Sequence, residues 1–230
     1  MPPDDRNLKI SRTVQRKRDI RQDLISRDLQ AIEKRARSDK NILRTLSSML
    51  YDKESLVRWR AIEALGRASK IIAENDLGKI RRQIRRILWL MNDESGGICW
   101  NGPEAIGEIV YNIPTLIYEY GPIIISFLDE GPFEVGTRRA IWRIGALGPE
   151  VFKESRAAII ESLESSIPEM RAFSIKALNA LVDNSARETV KVLKNDLSSV
   201  EIYDFVTGEL KETAVKVFAR EYLERLDKSG

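Results

Sequence analysis

A short phrase recurs four times along the chain, and this recurrence constrains the fold more than any other feature of the sequence. The copies read RWRAIEALG at 58–66, CWNGPEAIG at 99–107, TRRAIWRIG at 137–145 and RAFSIKALN at 171–179. Their last residues lie 41, 38 and 34 positions apart. Periods of this length are typical of solenoids built from stacked helix pairs, in which each pair buries its apolar face against the next. The sequence therefore predicts about five such pairs.

Apolar residues recur at helical spacing through nearly the whole chain, and Gly, Pro, Asp and Asn separate the periodic segments. This pattern predicts an all-α fold. Ala and Gly in the repeated phrase indicate second helices whose backbones approach one another closely. The first helices of the pairs are expected at 41–51, 77–91, 114–128, 149–165 and 186–197.

The two ends of the chain are expected to close the stack of helices. Residues 8–37 have helical spacing and a dense charged face on which basic side chains outnumber acidic ones. Residues 209–226 repeat apolar side chains on one helical face. We therefore predict a basic N-terminal capping helix in residues 1–38 and a helical-repeat domain in residues 39–230.

The phrase R-x-x-A-x-x-A-L-G resembles the second helix of HEAT and HEAT-like (phycobilisome lyase-type) repeats. Arg58, Ala61 and residues 64–66 match it best, and the later copies match in part. The resemblance covers roughly residues 39–183. It implies an all-α fold of the right-handed α-α superhelix type, a HEAT/armadillo-like solenoid of about five helix pairs with an N-terminal capping helix.

Composition removes most of the familiar hydrolase mechanisms. The chain has one cysteine, Cys99, and no histidine. A disulfide framework within the chain, the commonest zinc sites and the Ser-His and Cys-His nucleophile pairs are therefore excluded. Carboxylates, lysine, tyrosine, the lone thiol or a carboxylate-bound hard metal remain for catalysis. We expect no cofactor and no metal, and favour a protein that is not an enzyme.

Charge is distributed unevenly along the chain. The segment from Ile87 to Thr137 has no basic residue and carries eight acidic ones: Asp93, Glu94, Glu104, Glu108, Glu119, Asp129, Glu130 and Glu134. Just before it, Lys79–Arg86 puts four arginines and a lysine on one helix. Such a helix can grip phosphates, but the adjacent acidic segment repels a nucleic-acid backbone. Nucleic acid is therefore the less favoured partner.

The candidate binding site combines equivalent positions of the second helices with the long turn at residues 92–102. In a solenoid these positions line the inner, concave side, and long turns often lie at the binding edge. The candidate binding residues are Arg58, Trp59, Glu63, Asp93, Glu94, Trp100, Glu104, Glu108, Arg138 and Trp142. The alternative is that the tryptophans pack in the core and the glutamates face solvent or pair with arginines.

Three functions remain open at this point. The favoured hypothesis is a non-enzymatic scaffold that binds a protein partner carrying a basic or apolar segment. The alternatives are a nucleic-acid-binding or DNA-repair protein similar to the HEAT-like DNA glycosylases, and a cofactor or small-molecule lyase similar to the HEAT-like bilin lyases. Because the sequence has no apolar run of about 20 residues and no apolar N-terminal stretch, we expect a cytoplasmic protein without a membrane partner.

Overall fold

The structure, a computed structural model, describes the backbone of residues 5–92 and 97–229 and the side chains of residues 12–92 and 97–228. The chain divides into two compact units, residues 1–83 and residues 84–230. The predicted boundary between residues 38 and 39 stays a prediction.

The first unit is built around one long helix, α4, against which three others pack. Its helices are α1 (Asp5–Ile25), α2 (Leu29–Ser38), α3 (Ile42–Met49) and α4 (Ser55–Ala73), and α5 (Leu77–Met91) begins here. The N-terminal segment, expected to be one helix, is therefore two. Arg27 has a φ of 53°, which interrupts the helix, and Asp28 then caps α2 by accepting a hydrogen bond from the amide of Ala31 at 2.9 Å.

The second unit continues the alternation of helices and adds a hairpin near the C-terminus. Its further helices are α6 (Gly102–Asn112), α7 (Ile117–Ile125), α8 (Glu134–Ile144), α9 (Arg156–Glu161), α10 (Pro168–Ala180), α11 (Arg187–Val192) and α12 (Val215–Ser229). Short 3-10 turns lie at Pro114–Leu116, Gly131–Phe133, Gly145–Leu147, Pro149–Phe152, Ser162–Glu164 and Leu193–Asn195. The strands are β1 (Ser199–Asp204) and β2 (Glu209–Ala214).

The second helices of this unit pack side by side, α6 against α8 and α8 against α10. A Cβ atom placed on Gly107 would lie 2.9 Å from the Cβ of Ala140 and 3.1 Å from its Cα. The helices α6 and α8 approach this closely because glycine has no side chain at the crossing. The predicted close approach at the glycines of the repeated phrase is confirmed at this position.

An arginine near the start of each of three second helices fastens that helix to the turn before it. In each case the guanidinium Nη1 donates a hydrogen bond to a backbone carbonyl of that turn, which otherwise lacks a helical partner. The bonds run from Arg58 to Asp52 (2.7 Å), from Arg138 to Leu128 (2.9 Å) and from Arg171 to Ser165 (2.7 Å). The arginines of the repeated phrase are therefore part of the fold.

The hairpin corrects the expectation of a continuous helix at residues 209–226. Strands β1 and β2 pair antiparallel, from Ser199 opposite Ala214 to Asp204 opposite Glu209, and α12 begins only after them. In the turn, Gly208 has a φ of 72° and donates its amide to the carbonyl oxygen of Asp204 at 2.6 Å. A glycine that tolerates positive φ fixes a tight turn here, and the turn pairs the flanking residues as strands.

Candidate functional site

The structure buries five of the eight candidate residues that it describes. Asp93 and Glu94 lie outside the described residues. Of the other eight, Trp59, Glu63, Glu104, Glu108 and Arg138 are buried. The expectation that these five line an open binding face is therefore corrected, because neighbouring helices and arginine side chains cover them.

The three buried glutamates each form an ion pair with an arginine from elsewhere in their own unit. In the second unit, Arg143 on α8 donates through Nε to Oε2 of Glu108 on α6 at 2.6 Å. One turn earlier, Nη1 of Arg139 lies 3.5 Å from Oε1 of Glu104. In the first unit, Nη2 of Arg27 lies 2.8 Å from Oε1 of Glu63. The alternative expectation, that the glutamates pair with arginines, is confirmed.

Glu104 is the least well satisfied of these carboxylates. Its Oε2 accepts no hydrogen bond from any described residue, and it lies against Gly136, where an added Cβ would be 2.6 Å away. Burial raises the pKa of Glu104, and the charge of Arg139 opposes that rise only in part. Glu104 is thus a buried acid held by packing, and its ionised form is costly in this position.

Arg138 and Trp59 are also structural. Only 1% of Arg138 is exposed, and its guanidinium donates to the carbonyl oxygens of Leu128 and Glu134 and to the hydroxyl of Ser162. Burial lowers the pKa of Arg138, although Asp129 and Glu134 act in the other direction. Trp59 is 8% exposed. Neither side chain presents a surface that a large partner can contact.

Trp142 is partly covered by the β1–β2 hairpin, which the helical spacing did not predict. Its ring lies 6.5 Å from that of Phe205, at the hairpin turn, and 6.1 Å from that of Phe173. The ammonium of Lys176 lies 4.4 Å from the Trp142 ring centroid. The hairpin therefore occupies part of the second-helix face that was expected to be an open groove.

Arg143 lies between two aromatic rings, that of Tyr111 on α6 and that of Phe205 at the hairpin turn. Its guanidinium carbon lies 3.3 Å from the centroid of Tyr111 and 4.1 Å from that of Phe205. Cation–π contacts on both sides, together with the ion pair to Glu108, hold this arginine in one position. The sequence carries a signal for the first strand only, since Val200, Ile202 and Tyr203 are β-branched or aromatic and Gly208 follows them, whereas β2 is mostly polar.

Trp100 is the one tryptophan among the candidates that is strongly exposed, at 59%. It stands at the end of the long turn, directly before α6. The turn is closed at its base, because the amide of the buried Cys99 donates to the carbonyl of Leu90 at 3.1 Å. A side chain on Gly102 would overlap Met91, so α6 begins tightly packed on α5. Trp100 is therefore an exposed ring on a firmly held backbone.

Trp89 is a second exposed tryptophan, at 66%, and it is not among the candidate binding residues. Helical spacing is the signal that identifies it, because Ile84, Ile87 and Met91 form the buried face of α5 and Trp89 falls on the opposite side. No group of three carboxylate or thiol side chains within the described residues is arranged to hold a metal ion. Among the same residues, no helix has the length and apolarity needed to cross a membrane.

Comparison with known proteins supports the fold. No family model matches the chain. An uncharacterized protein of Archaeoglobus fulgidus is 29% identical over 180 residues, which are 75% of this chain and 93% of that protein. A designed armadillo repeat protein is similar in structure, with a TM-score of 0.50, 16% identity and coverage of 85% of this chain and 90% of the other.

An engineered protein of known crystal structure matches with a TM-score of 0.49 and 15% identity, over 88% of this chain and 90% of the other. Together with the described helices, the similarity to the designed armadillo repeat protein establishes an all-α, armadillo-like helical-repeat fold. The narrower resemblance to HEAT or phycobilisome lyase-type repeats stays a prediction.

Proposed function

We propose that the chain is a non-enzymatic binding protein and that Trp100 anchors a protein partner. The observation that supports this proposal is the exposure of the Trp100 ring, 59%, on a backbone fixed by the packing of α6 against α5. Tryptophan is enriched among the few residues that dominate protein interfaces, because its large ring buries much area with little loss of conformational freedom. Helical-repeat folds commonly present such surfaces to other proteins.

The acidic side chains between Arg86 and Arg138 indicate that a partner would carry basic side chains. No basic residue occurs between Arg86 and Arg138, while Glu119, Asp129 and Glu130 in that segment are exposed. A partner segment that combines an apolar side chain for Trp100 with basic side chains therefore complements this part of the chain. The lyase alternative gains no support from Glu104 and Glu108, the two acids of α6, because both are engaged by arginines.

Copurification tests the proposal. The tagged chain is expressed in its native host, and proteins that elute with it at a fixed ratio are identified and then reconstituted from purified components. Trp100→Ala is expected to lose the partner while its far-UV circular dichroism and unfolding midpoint stay unchanged. Tyr118→Ala is the matched control, because it removes an exposed ring, 66%, from helix α7.

The expected result is that Tyr118→Ala retains the partner at the wild-type ratio. Retention of the partner by Trp100→Ala contradicts the proposed anchor. If no protein elutes at a fixed ratio with the wild-type chain, the binding function itself is contradicted.

A further inference from the structure

The exposed side of helix α5 carries arginines and a tryptophan. Its sequence, LGKIRRQIRRILWLM, contains five basic residues and no acidic one. The side chains of Arg85, Arg86 and Trp89 are exposed, and they lie within one turn of each other on the helix. Ile87 and Met91 are buried on the other side, where α6 begins. We call the set Arg85, Arg86 and Trp89 the α5 face.

The charges of this face are not neutralised by other described residues. Arg82, one turn earlier, forms an ion pair with Asp76 at 3.1 Å. Within the described part of the chain, Arg85 and Arg86 form no ion pair, and the Trp89 ring contacts no other ring. Arg85 and Arg86 are consecutive residues, so an anionic ligand that contacts both compensates two positive charges.

The structure removes two of the eight acids of the following segment from the objection to an anionic partner. The sequence placed eight acids in the segment that follows α5, and these were expected to repel a phosphate backbone. Two of them, Glu104 and Glu108, are buried and paired with Arg139 and Arg143. Their charges are therefore compensated inside the second unit and contribute little field at its surface.

We infer that the α5 face binds single-stranded nucleic acid, with Arg85 and Arg86 contacting phosphates and Trp89 stacking on an unpaired base. Positive side chains that track the backbone and an aromatic ring that stacks on a base form the usual platform for single strands. A duplex offers no free base face to Trp89. This site goes beyond the proposed protein partner and uses different residues.

Composition of the face favours nucleic acid over an acidic protein segment. Protein interfaces have an apolar core surrounded by a polar rim. On the α5 face Trp89 lies within one helical turn of two arginines, and the neighbouring leucines 88 and 90 are only partly exposed. A lone ring beside guanidinium groups suits one stacked base and its flanking phosphates, which DNA and RNA share.

Fluorescence anisotropy of the full chain with labelled oligothymidylate and oligouridylate of about 12 nucleotides tests this site. Two phosphate contacts predict a slope of about −1.4 in a plot of log association constant against log salt, at about 0.7 per phosphate on a single strand. Trp89→Ala is expected to weaken binding at least about fivefold with the slope unchanged. The double variant Arg85→Ala with Arg86→Ala is expected to bring the slope of this salt plot close to zero.

A charge-matched control is the double variant Lys194→Ala with Arg220→Ala. Both control residues are exposed and lie outside α5, and the variant removes the same net charge. It is expected to bind as the wild type does. Binding of either oligonucleotide supports the site, and the tighter one identifies the sugar that it prefers.

Four results would overturn the inference. The first is binding of a duplex of the same sequence as tightly as the single strand. The second is an unchanged affinity in Trp89→Ala, and the third is an equal loss in the charge-matched control. The fourth is competition by polyglutamate as effective as that by unlabelled oligothymidylate, which would assign the α5 face to an acidic protein segment.

Discussion

At the scale of single residues, the acidic side chains that looked available for binding stabilise the packing of second helices. Glu108 is 2% exposed, accepts Arg143 at 2.6 Å, and also accepts the side-chain amide of Asn112 at 2.9 Å. Glu104, one turn away, has a longer contact with Arg139 and an oxygen without a hydrogen bond from the described residues. Two neighbouring glutamates therefore contribute differently to stability.

Glu108→Gln is expected to lower the free energy of unfolding by about 2 kcal/mol. The variant keeps the shape of the side chain but leaves the charge of Arg143 without its carboxylate. The loss is below the ~3–5 kcal/mol of a fully buried pair because Arg143 is partly exposed. Urea unfolding followed by circular dichroism measures it. Glu130→Gln, at an exposed acid, should change stability by less than about 0.5 kcal/mol, and an equal loss in both variants would contradict the structural role of Glu108.

Glu104→Gln is expected to change how stability depends on pH. Burial raises the pKa of Glu104 above its ordinary value of 4.5, so the folded state holds this proton more tightly than the unfolded state. The wild type therefore loses stability as pH rises from 4.5 through the raised pKa, and the glutamine variant lacks this loss. The free energy of unfolding is measured for both proteins at about pH 4 and about pH 7, and the stability of the variant relative to the wild type should be greater at the higher pH. A pH-independent difference between the two proteins would show that Glu104 titrates normally.

At the scale of elements, two features set the packing of the second unit. One is the close crossing of α6 and α8 at Gly107, and the other is the hairpin whose Phe205 lies over Trp142 and Arg143. The first follows from the repeated phrase. The second is an addition to the helix pairs, and it takes up surface that a plain repeat leaves open.

Gly107→Ala is expected to destabilise the protein by about 1–2 kcal/mol. The new methyl group would meet Ala140 at 2.9 Å and push the two backbones apart. That overpacking costs about 1–3 kcal/mol, of which the better helix propensity of alanine recovers up to about 1 kcal/mol. Gly131→Ala is the control, since no atom lies within 4 Å of the added group. Thermal unfolding compares the two, and a variant at residue 107 as stable as the wild type would disprove the close crossing.

Phe205→Ala is expected to cost about 2 kcal/mol. Truncation of a fully buried phenylalanine to alanine costs ~3–5 kcal/mol of stability, and the Phe205 ring is only partly buried. The variant loses ring contacts with Trp142 and Tyr203 and one side of the Arg143 enclosure. Val206→Ala, at a side chain that is 87% exposed, should leave stability unchanged. Equal stability of both variants in urea would mean that the hairpin does not dock on α8.

At the scale of the whole molecule, helix pairs were predictable because their signal is local. The spacing of apolar residues in α5 gives its limits as Leu77–Met91, which the structure matches. The hairpin was not predictable in the same way, because its formation depends on the turn at Gly208 and on the contact of Phe205 with α8. Helical spacing in residues 215–226 extended the expected helix backwards over β2.

Burial of the candidate site was equally hard to foresee. A sequence shows that Glu104 and Glu108 share a helix face, but not that Arg139 and Arg143, 35 residues later, cover it. Trp100 and Trp89 are exposed although large aromatic residues are usually buried. Helical spacing within α5 indicates the exposure of Trp89, but only the structure shows that Trp100 is exposed.

Photocrosslinking in the native host shows whether Trp100 is the anchor for a protein partner. The photoreactive residue p-benzoylphenylalanine replaces Trp100 in one variant and Tyr118 in a second, and covalent adducts are identified by mass spectrometry. We expect one dominant protein adduct from position 100 and none from position 118. Absence of an adduct at position 100, or the same adducts from both positions, would contradict this expectation.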